Sequence, residues 1–391
     1  MSAALSHLKV LDLSRVLAGP WASQTLADFG AQVIKVERPE KGDDTRAWGP
    51  PFLKDNHGGT TNESAYFMSA NRGKESVCID ITSDEGQQQI KKLAEQCDVV
   101  IENFKVGGAK KYGLDYESLS KQNPRLIYCS ITGFGQTGPY KDRPGYDFLV
   151  QAMGGLMSVT GDEKSGPQKV GVALTDVMTG LYATVGILTA ITEREKSGLG
   201  QHVDLALLDV TAATLANQAT NFLVGDKVPT GLGNAHPNIV PYQSFETADG
   251  HMIVAVGNDG QFKRFCQVIN LAGLADDENY TSNEQRVLNR VTLVPMLQAQ
   301  LKRKNRDEWL AEFEKHQVPA GPINTIDEVF SNEQILARDM RVKVKHALND
   351  ELELPGNPIK LSRTPVSYDK APPLLGQHTE SVFKQFGIDE S

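Results

Sequence analysis

The first third of the chain alternates short β-rich runs with helical patterns, and this alternation constrains the fold more than any other feature. The strand-like runs cover residues 9–13, 32–36, 76–81, 99–102 and 126–131. Helical patterns lie between them, one from Pro20 to Phe29 and one over residues 84–96. Strands separated by helices form βαβ units, so the sequence predicts an α/β fold with a mostly parallel sheet. No Gly-x-Gly-x-x-Gly follows the first strand, which argues against a standard dinucleotide fingerprint.

The length of 391 residues exceeds what one hydrophobic core usually supports, so two domains are expected. We predict a large Rossmann-like domain over residues 1–200, a linker helix over residues 201–225 and a small α+β domain over residues 226–325. The remaining residues, 326–391, are rich in proline and are expected to return to the large domain.

Charge, cysteine content and the N-terminal residues narrow the class of protein. The net charge of −9 at pH 7 argues against a general nucleic-acid-binding protein. The four cysteines are scattered without metal-ligand spacing, so we expect reduced thiols and no metal site. Residues 1–7 lack the pattern of a signal peptide, and the apolar run at residues 177–191 is too short to span a bilayer. These features predict a cytoplasmic enzyme without membrane or nucleic-acid partners.

Asp176 stands just before a small, apolar, helical run at residues 181–191. A carboxylate at such a junction can be an ionised nucleophile held near helix N–H groups, or it can be the N-cap of the helix. Asp is a favoured N-cap residue, so this stretch taken alone favours the cap.

Polar and aromatic residues follow the predicted strands at their C-terminal ends, where open parallel sheets bind ligands. Arg15 to Ala18 follow the first strand, Arg38 follows the second, and Asn103 and Phe104 follow the fourth. An arginine for phosphate, an aromatic ring for a flat base and exposed backbone groups together suit a nucleotide-like ligand. The alternative is that Arg38 is a solvated surface charge and that Phe104 belongs to the core.

Short motifs along the chain occur in an order that resembles CoA-transferase family III, which includes formyl-CoA transferases, carnitine CoA-transferases and α-methylacyl-CoA racemases. The motifs are LDLSRVLAGP at residues 11–20, VIKVE at 33–37, NRGK at 71–74, ENF at 102–104, GYD at 145–147, TD at 175–176, GNAHP at 233–237 and PAGPI at 319–323. The resemblance implies that Asp176 is the catalytic aspartate, which reverses the preference for a cap. CoA is then expected as part of the acyl-CoA substrate, with no permanently bound cofactor.

The resemblance also assigns a CoA site to particular positions. It implies that CoA is lined by Val16, Ala18, Arg38, Ile79, Asp80, Ile81, Asn103 and Phe104. Lys111 stands where the family often has a phosphate-binding arginine. Lysine keeps the charge at this position but loses the bidentate fork of a guanidinium.

Tyr146 separates two enzyme classes within this family. The racemases carry Gly-His-Asp where this chain has Gly145, Tyr146 and Asp147, and racemisation needs a base for the α-proton. A tyrosine, with an ordinary pKa of about 10, is a poor base at neutral pH. The residue therefore favours a CoA-transferase, which passes through an aspartyl anhydride and an aspartyl-CoA thioester. The alternatives are an α-methylacyl-CoA racemase or epimerase, and a CoA-binding protein without catalysis.

Three further segments resemble the succinyl-CoA–glutarate CoA-transferase branch: residues 236–242, 321–324 and 372–378. This implies transfer from succinyl-CoA to a dicarboxylate such as glutarate. The residues expected in the substrate pocket are Leu17, Arg72, Arg143, Tyr146, Asp147, Gly233 and His236, with Arg15 and Arg46 as further cations for a distal carboxylate. Residues 231–236 match the family's glycine-rich covering loop, and the family implies a ring-shaped subunit in an interlocked homodimer.

Overall fold

The computed structural model describes residues 3–388 and divides the chain into two compact units. Within the described residues, the first unit combines residues 3–155, 170–214 and 332–388, and the second combines residues 156–169 with residues 215–331. The boundaries differ from the contiguous domains predicted from the sequence. In particular, residues 156–169 belong to the second unit, although they lie within the predicted large domain.

The first unit is built on a parallel sheet that holds six strands within the described residues. The strands are β1 (Lys9–Asp12), β2 (Gln32–Glu37), β3 (Lys74–Cys78), β4 (Val99–Glu102), β5 (Ile127–Thr132) and β6 (His202–Ala206). Their spatial order is β3-β2-β1-β4-β5-β6, which is the Rossmann order. The predicted α/β class with a parallel sheet is confirmed.

Helices cover both faces of this sheet. They are α1 (Ala18–Asp28), α2 (Asp84–Glu95), α3 (Asp147–Met153), α4 (Leu174–Ser197) and α5 (Leu207–Thr214). Further elements of this unit are the strands Phe52–Lys54, Thr60–Ser64, Arg341–His346 and Asn349–Pro355, and the helical segments Asp44–Ala47, Ala65–Ser69, Lys110–Tyr112, Tyr116–Leu119, Glu333–Ala337 and Thr379–Phe386.

Strand β4 shows why the sheet needs helices on both sides, since all four of its residues are buried. Side chains alternate along a strand, so Val99 and Ile101 join one core with α1 and α4. Val100 points to the opposite core, which includes residues of α2 and of the helix Thr379–Phe386. The C-terminal helix is therefore part of the first unit's core.

The predicted linker helix over residues 201–225 is wrong. Residues His202–Ala206 form the edge strand β6, paired in parallel with β5, and two separate helices follow, α5 and Ala216–Gly225. Gly198 ends α4 with a left-handed φ of 78°. Gly200 then passes so close to β5 that a Cβ atom there would lie 2.0 Å from the carbonyl oxygen of Leu126. These two glycines return the chain to the sheet, where backbone pairing overrides the helical pattern.

Helix α4 contains 24 residues and, by length and composition alone, could cross a membrane. The apolar run predicted from the sequence covers only residues 177–191. The helix is longer because polar residues extend it at both ends. A core helix of a soluble protein passes the same test, and Ala183 and Ile187 on this helix are fully buried in the first unit.

The second unit has its own sheet and core. Its strands are Gly161–Asp162, Gly166–Pro167, Tyr242–Glu246, His251–Ala255 and Ala320–Pro322. Its helical segments are Leu156–Val159, Ala216–Gly225, Asp259–Val268, Ala272–Ala275, Asn283–Leu288, Arg290–Leu301, Arg306–Lys315 and Ile326–Ser331. Phe262, Phe265 and Trp309 are buried together in the core of this unit.

Candidate active site

A groove of about 490 Å³ opens in the first unit beyond the carboxyl ends of β1, β4 and β5. β1 and β4 are neighbours at the point where the strand order reverses, which is where doubly wound sheets bind ligands. We call it the central groove. Its lining residues are Arg15, Val16, Leu17, Ala18, Asp44, Asn103, Phe104, Lys105, Val106, Gly108, Lys111, Tyr112, Ile131, Thr132, Gly133, Lys141, Asp142, Arg143, Pro144, Gly145, Tyr146, Asp176 and Leu207.

Asp176 lines this groove from the first turn of α4 and is not the helix N-cap. The residue at the cap position is Ala173, which offers no capping side chain. Asp147 replaces it from another segment, because its Oδ1 accepts hydrogen bonds from the backbone N–H of Thr175 at 2.9 Å and of Asp176 at 3.3 Å. Within residues 3–388, the carboxylate of Asp176 has no hydrogen-bond or ion-pair partner. It is therefore available to react.

The electrostatic surroundings of Asp176 suit a nucleophile at neutral pH. Burial raises the pKa of Asp176 to about 7, and the negative charge of Asp147 contributes in the same direction. An elevated pKa gives a more basic carboxylate that is still substantially ionised near pH 7.

Tyr66 belongs to the same neighbourhood, although the sequence analysis missed it. Burial raises the pKa of the Tyr66 phenol, and the charges of Asp176 and Asp147 raise it further. Its ring packs edge-on against Trp48, with ring centroids 5.1 Å apart. No motif in the sequence marks Tyr66, because the short helix Ala65–Ser69 brings it near Asp176 only in the folded chain.

The loop after β1 forms one wall of the groove in a strained conformation. Val16 has a φ of 73°, an unusual value for a β-branched residue. Its N–H faces the carboxylate of Asp43, with both oxygens at 3.3 Å. The amide of Asn103 grips the preceding residue, Arg15, by accepting from its N–H at 2.9 Å and donating to its carbonyl at 2.7 Å. Two side chains therefore hold the loop in place.

Gly180 brings the helix of Asp176 close to this loop. A Cβ atom at position 180 would lie 2.7 Å from the carbonyl oxygen of Ala18. Only glycine permits that approach, so α4 and the start of α1 meet at the groove.

Phe104 lies between the core and the groove, which reconciles its two predicted roles. It packs partly against the core and also lines the groove. Its backbone N–H donates to Glu102 at 2.7 Å. Burial raises the pKa of Glu102 to about 7.

Lys111 also lines the groove, with its ammonium 5.2 Å from the ring of Tyr112.

The segment that carries Tyr146 packs against the residues that follow β5. A Cβ atom on Gly133 would lie 2.5 Å from the Cα of Gly145, so both glycines are needed for this contact. Tyr146 is 70% exposed and lines the groove with Arg143.

Several predicted site residues do not line the groove. Arg38 is paired with Asp44 at 2.6 Å and only its partner reaches the groove. Ile79 is buried in the core, Ile81 packs against it, and Asp80 is exposed, where its carboxylate holds the turn at Thr82.

Arg72, predicted to face the substrate, is buried and forms an ion pair with Asp28 at 2.7 Å. Its N–H groups bond both oxygens of that carboxylate, so its charge is already neutralised in the fold. The assignment of Arg72 to the substrate pocket is therefore corrected to a structural one.

Gly233 and His236 belong to the second unit. The N–H of Gly233 donates to the carbonyl of Gly161 at 2.8 Å, and Gly233 has a φ of 61°. His236 accepts from the N–H of Asn238 at 3.0 Å. These bonds tie the glycine-bearing loop to the rest of its own unit.

Comparison with known proteins identifies what the chain is similar to. A model of CoA-transferase family III matches residues 5–379. The succinate–glutarate CoA-transferase of Agrobacterium fabrum is 50% identical over 383 residues, which cover 97% of this chain and 95% of that protein. The succinyl-CoA:glutarate CoA-transferase of Homo sapiens is 43% identical, with 97% and 85% covered. A crystal structure of a CAIB/BAIF family protein from Brucella suis has a TM-score of 0.87 at 48% identity, covering 99% of this chain and 100% of that one.

Proposed function

The chain belongs to CoA-transferase family III, and we propose on that basis that it transfers CoA from succinyl-CoA to a dicarboxylate such as glutarate, with Asp176 as the nucleophile. The predicted enzyme class, an acyl-CoA:carboxylate CoA-transferase, is confirmed by the family and by its named relatives. The observation that supports the role of Asp176 most directly is its unpartnered, partly buried carboxylate in the central groove.

The chemistry divides one difficult exchange into steps of similar energy. The ionised carboxylate of Asp176 attacks the thioester carbon of succinyl-CoA, the C–S bond breaks, and CoA leaves as the thiolate. The thiolate then attacks the aspartyl carbonyl of the mixed anhydride and releases succinate, leaving an aspartyl-CoA thioester. Glutarate repeats these two steps in reverse order, so glutaryl-CoA forms and the carboxylate of Asp176 is regenerated.

The groove suits this chemistry better than racemisation. Transfer needs a nucleophile and a place for two carboxylic acids, but it needs no base for an α-proton. Tyr146 lines the groove. By the family resemblance it takes the place of the racemase histidine, and a tyrosine cannot readily serve as that base. The names of the relatives also favour transfer over the racemase alternative.

The test is to incubate the protein with succinyl-CoA and a panel of carboxylic acids without ATP, and to identify new CoA thioesters by mass spectrometry. We expect glutaryl-CoA or another dicarboxyl-CoA to form together with free succinate. Proton exchange at the α-carbon of a branched acyl-CoA, without transfer to any acid, would support the racemase instead. Binding of CoA with neither reaction would support a non-catalytic CoA-binding protein.

The elevated pKa of Asp176 predicts how activity depends on pH. Asp176 must be ionised to attack, so kcat/KM should fall about tenfold per pH unit well below pH 7 and level off above it.

Replacing Asp147 by asparagine removes a negative charge that raises the pKa of Asp176. The acid limb should therefore move to lower pH, by about one pH unit or less because burial is the larger cause. A shift to higher pH, or none, would contradict this assignment.

Exposed apolar side chains support the proposal of a homodimer. Leu181, Tyr182 and Val185 on α4 are 40%, 43% and 60% exposed, and Phe148 on α3 is 59% exposed. Burying such a surface against a second copy would stabilise the pair.

Three further expectations stay predictions: the interlocked arrangement of ring-shaped subunits, the cytoplasmic location and the lack of nucleic-acid or membrane partners. Rapid exchange of subunits between differently tagged preparations would contradict interlocking, and a monomeric mass by light scattering would contradict dimerisation.

A further inference from the structure

A dicarboxylate brings a second negative charge into the central groove, and this inference rests on the proposed function. The reacting carboxylate is consumed by the chemistry at Asp176, but the distal carboxylate remains ionised throughout. A charge that loses water on binding must find a cation or several N–H donors, or binding becomes unfavourable. The groove should therefore contain a cation that is free to receive it.

Most of the arginines that the sequence offered for this role are already paired. Arg46 bonds Glu37 at 2.7 Å and Glu63 at 3.0 Å, and the pairing of Arg72 with Asp28 is described above. Arg15 lines the groove, but its guanidinium lies 2.6 Å from a carboxylate oxygen of Asp44. Recruiting any of these for substrate would require breaking an existing ion pair.

Arg143 differs from these arginines. It lines the groove, and no carboxylate within residues 3–388 forms an ion pair with it. Its guanidinium carbon lies 3.8 Å from the ring centre of Tyr140, and that ring packs edge-on against Phe134 at 5.8 Å. Stacking occupies a face of the guanidinium plane and leaves the N–H edge free, so the cation is held ready to bind a carboxylate with two hydrogen bonds.

The backbone ties Arg143 to the helix of the nucleophile. Asp147, four residues further on, accepts the N–H of Thr175 at 2.9 Å at the start of α4. The Cα atoms of Arg143 and Asp147 are therefore at most about 14 Å apart. Arg143 and Asp176 both line the central groove. The contact between Gly133 and Gly145 fixes the intervening segment against β5.

We propose that Arg143 binds the distal, non-reacting carboxylate of the dicarboxylate substrate and so determines the preference of the enzyme for dicarboxylates. The guanidinium donates two N–H groups to the two carboxylate oxygens. A monocarboxylate of the same length leaves these donors without an anion, which weakens its productive binding.

The experiment compares Arg143→Met, Arg143→Lys and the matched control Lys141→Met, which removes another groove cation two residues away. With succinyl-CoA as donor, kcat/KM is measured for glutarate and for pentanoate, since the contribution of the donor cancels in their ratio. Arg143 is exposed until substrate covers it, so Arg143→Met should lower the glutarate-to-pentanoate ratio about 5- to 15-fold. Arg143→Lys should restore part of the ratio, and Lys141→Met should change it by less than about threefold.

Calorimetry with CoA alone separates this role from phosphate binding. Arg143→Met should change the Kd for CoA by no more than about twofold, because a surface charge that does not contact CoA contributes little to its affinity. An unchanged glutarate-to-pentanoate ratio, an equal effect of Lys141→Met, or a large loss of CoA affinity would each overturn the inference while the proposed function stands. Wild-type protein that transfers CoA to monocarboxylates but to no dicarboxylate would overturn both.

Discussion

Replacing Asp176 by alanine should lower kcat for CoA transfer by about 10,000-fold or more, because losing a covalent nucleophile removes the low-energy route altogether. The other carboxylates that line the groove are poor substitutes. Asp44 is held by Arg15 and Arg38, each at 2.6 Å, and Asp142 is exposed on the surface segment before Tyr146. The measurement is steady-state transfer from succinyl-CoA to glutarate, with CoA affinity measured beside it.

Trapping the covalent intermediate ties the loss to chemistry. Hydroxylamine added during turnover should convert the activated aspartyl group into a hydroxamate on the peptide that contains Asp176, which mass spectrometry detects. Asp209→Asn is the control, since Asp209 is an exposed aspartate that also lies in the first turn of a helix. The control should keep wild-type rates and labelling. Rapid turnover by Asp176→Ala, or a hydroxamate on a different residue, would refute the nucleophile assignment.

Replacing Asp43 by alanine should lower the free energy of unfolding by about 3–5 kcal/mol, because it leaves the buried ammonium of Lys35 without the carboxylate that bonds it directly. The two groups are fully buried and 2.8 Å apart. Burial alone would raise the pKa of Asp43, but Lys35 and the bonds from Thr45 hold it at about 2. The same carboxylate faces the N–H of Val16, so the substitution also releases the strained wall of the groove.

Urea unfolding of the two proteins at neutral pH measures this effect. Asp44→Ala provides a neighbouring control, because Asp44 is 38% exposed and its ion pairs are open to water. Exposed pairs contribute about 0–1 kcal/mol, so the control should unfold near the wild-type midpoint. A similar loss in both variants would mean that burial of the Lys35–Asp43 pair does not determine its contribution.

Local patterns in the chain were sufficient to predict the type of sheet. Five of the six strands overlap short β-rich runs in the sequence, because parallel strands covered on both faces are rich in Val, Ile and Leu. The sixth, His202–Ala206, alternates exposed and less exposed residues and was read as part of a helix. Its assignment depends on pairing with β5, an interaction with residues far away in sequence.

Site residues that follow strands were predictable because the strands themselves were recognisable in the sequence. Val16 lies four residues after the end of β1, Asn103 and Phe104 come directly after β4, and strand order brings those two ends together. Ile79 to Ile81 follow the edge strand β3 and do not line the groove, whereas the family resemblance predicts that they line the CoA site. Only the position of each strand within the sheet separates these two outcomes.

By itself, the sequence determined the fold class and the family and singled out Asp176 as the candidate nucleophile, because these depend on local periodicity and on motifs that keep their order along the chain. The tertiary structure decided which charges are free. Arg72 and Arg143 are both single arginines in glycine-bearing segments, and no local pattern distinguishes them. Folding places Asp28 against Arg72 and leaves Arg143 stacked on Tyr140 in the groove. The physical reason is that an ion pair depends on a few ångströms between distant residues, which only long-range packing establishes.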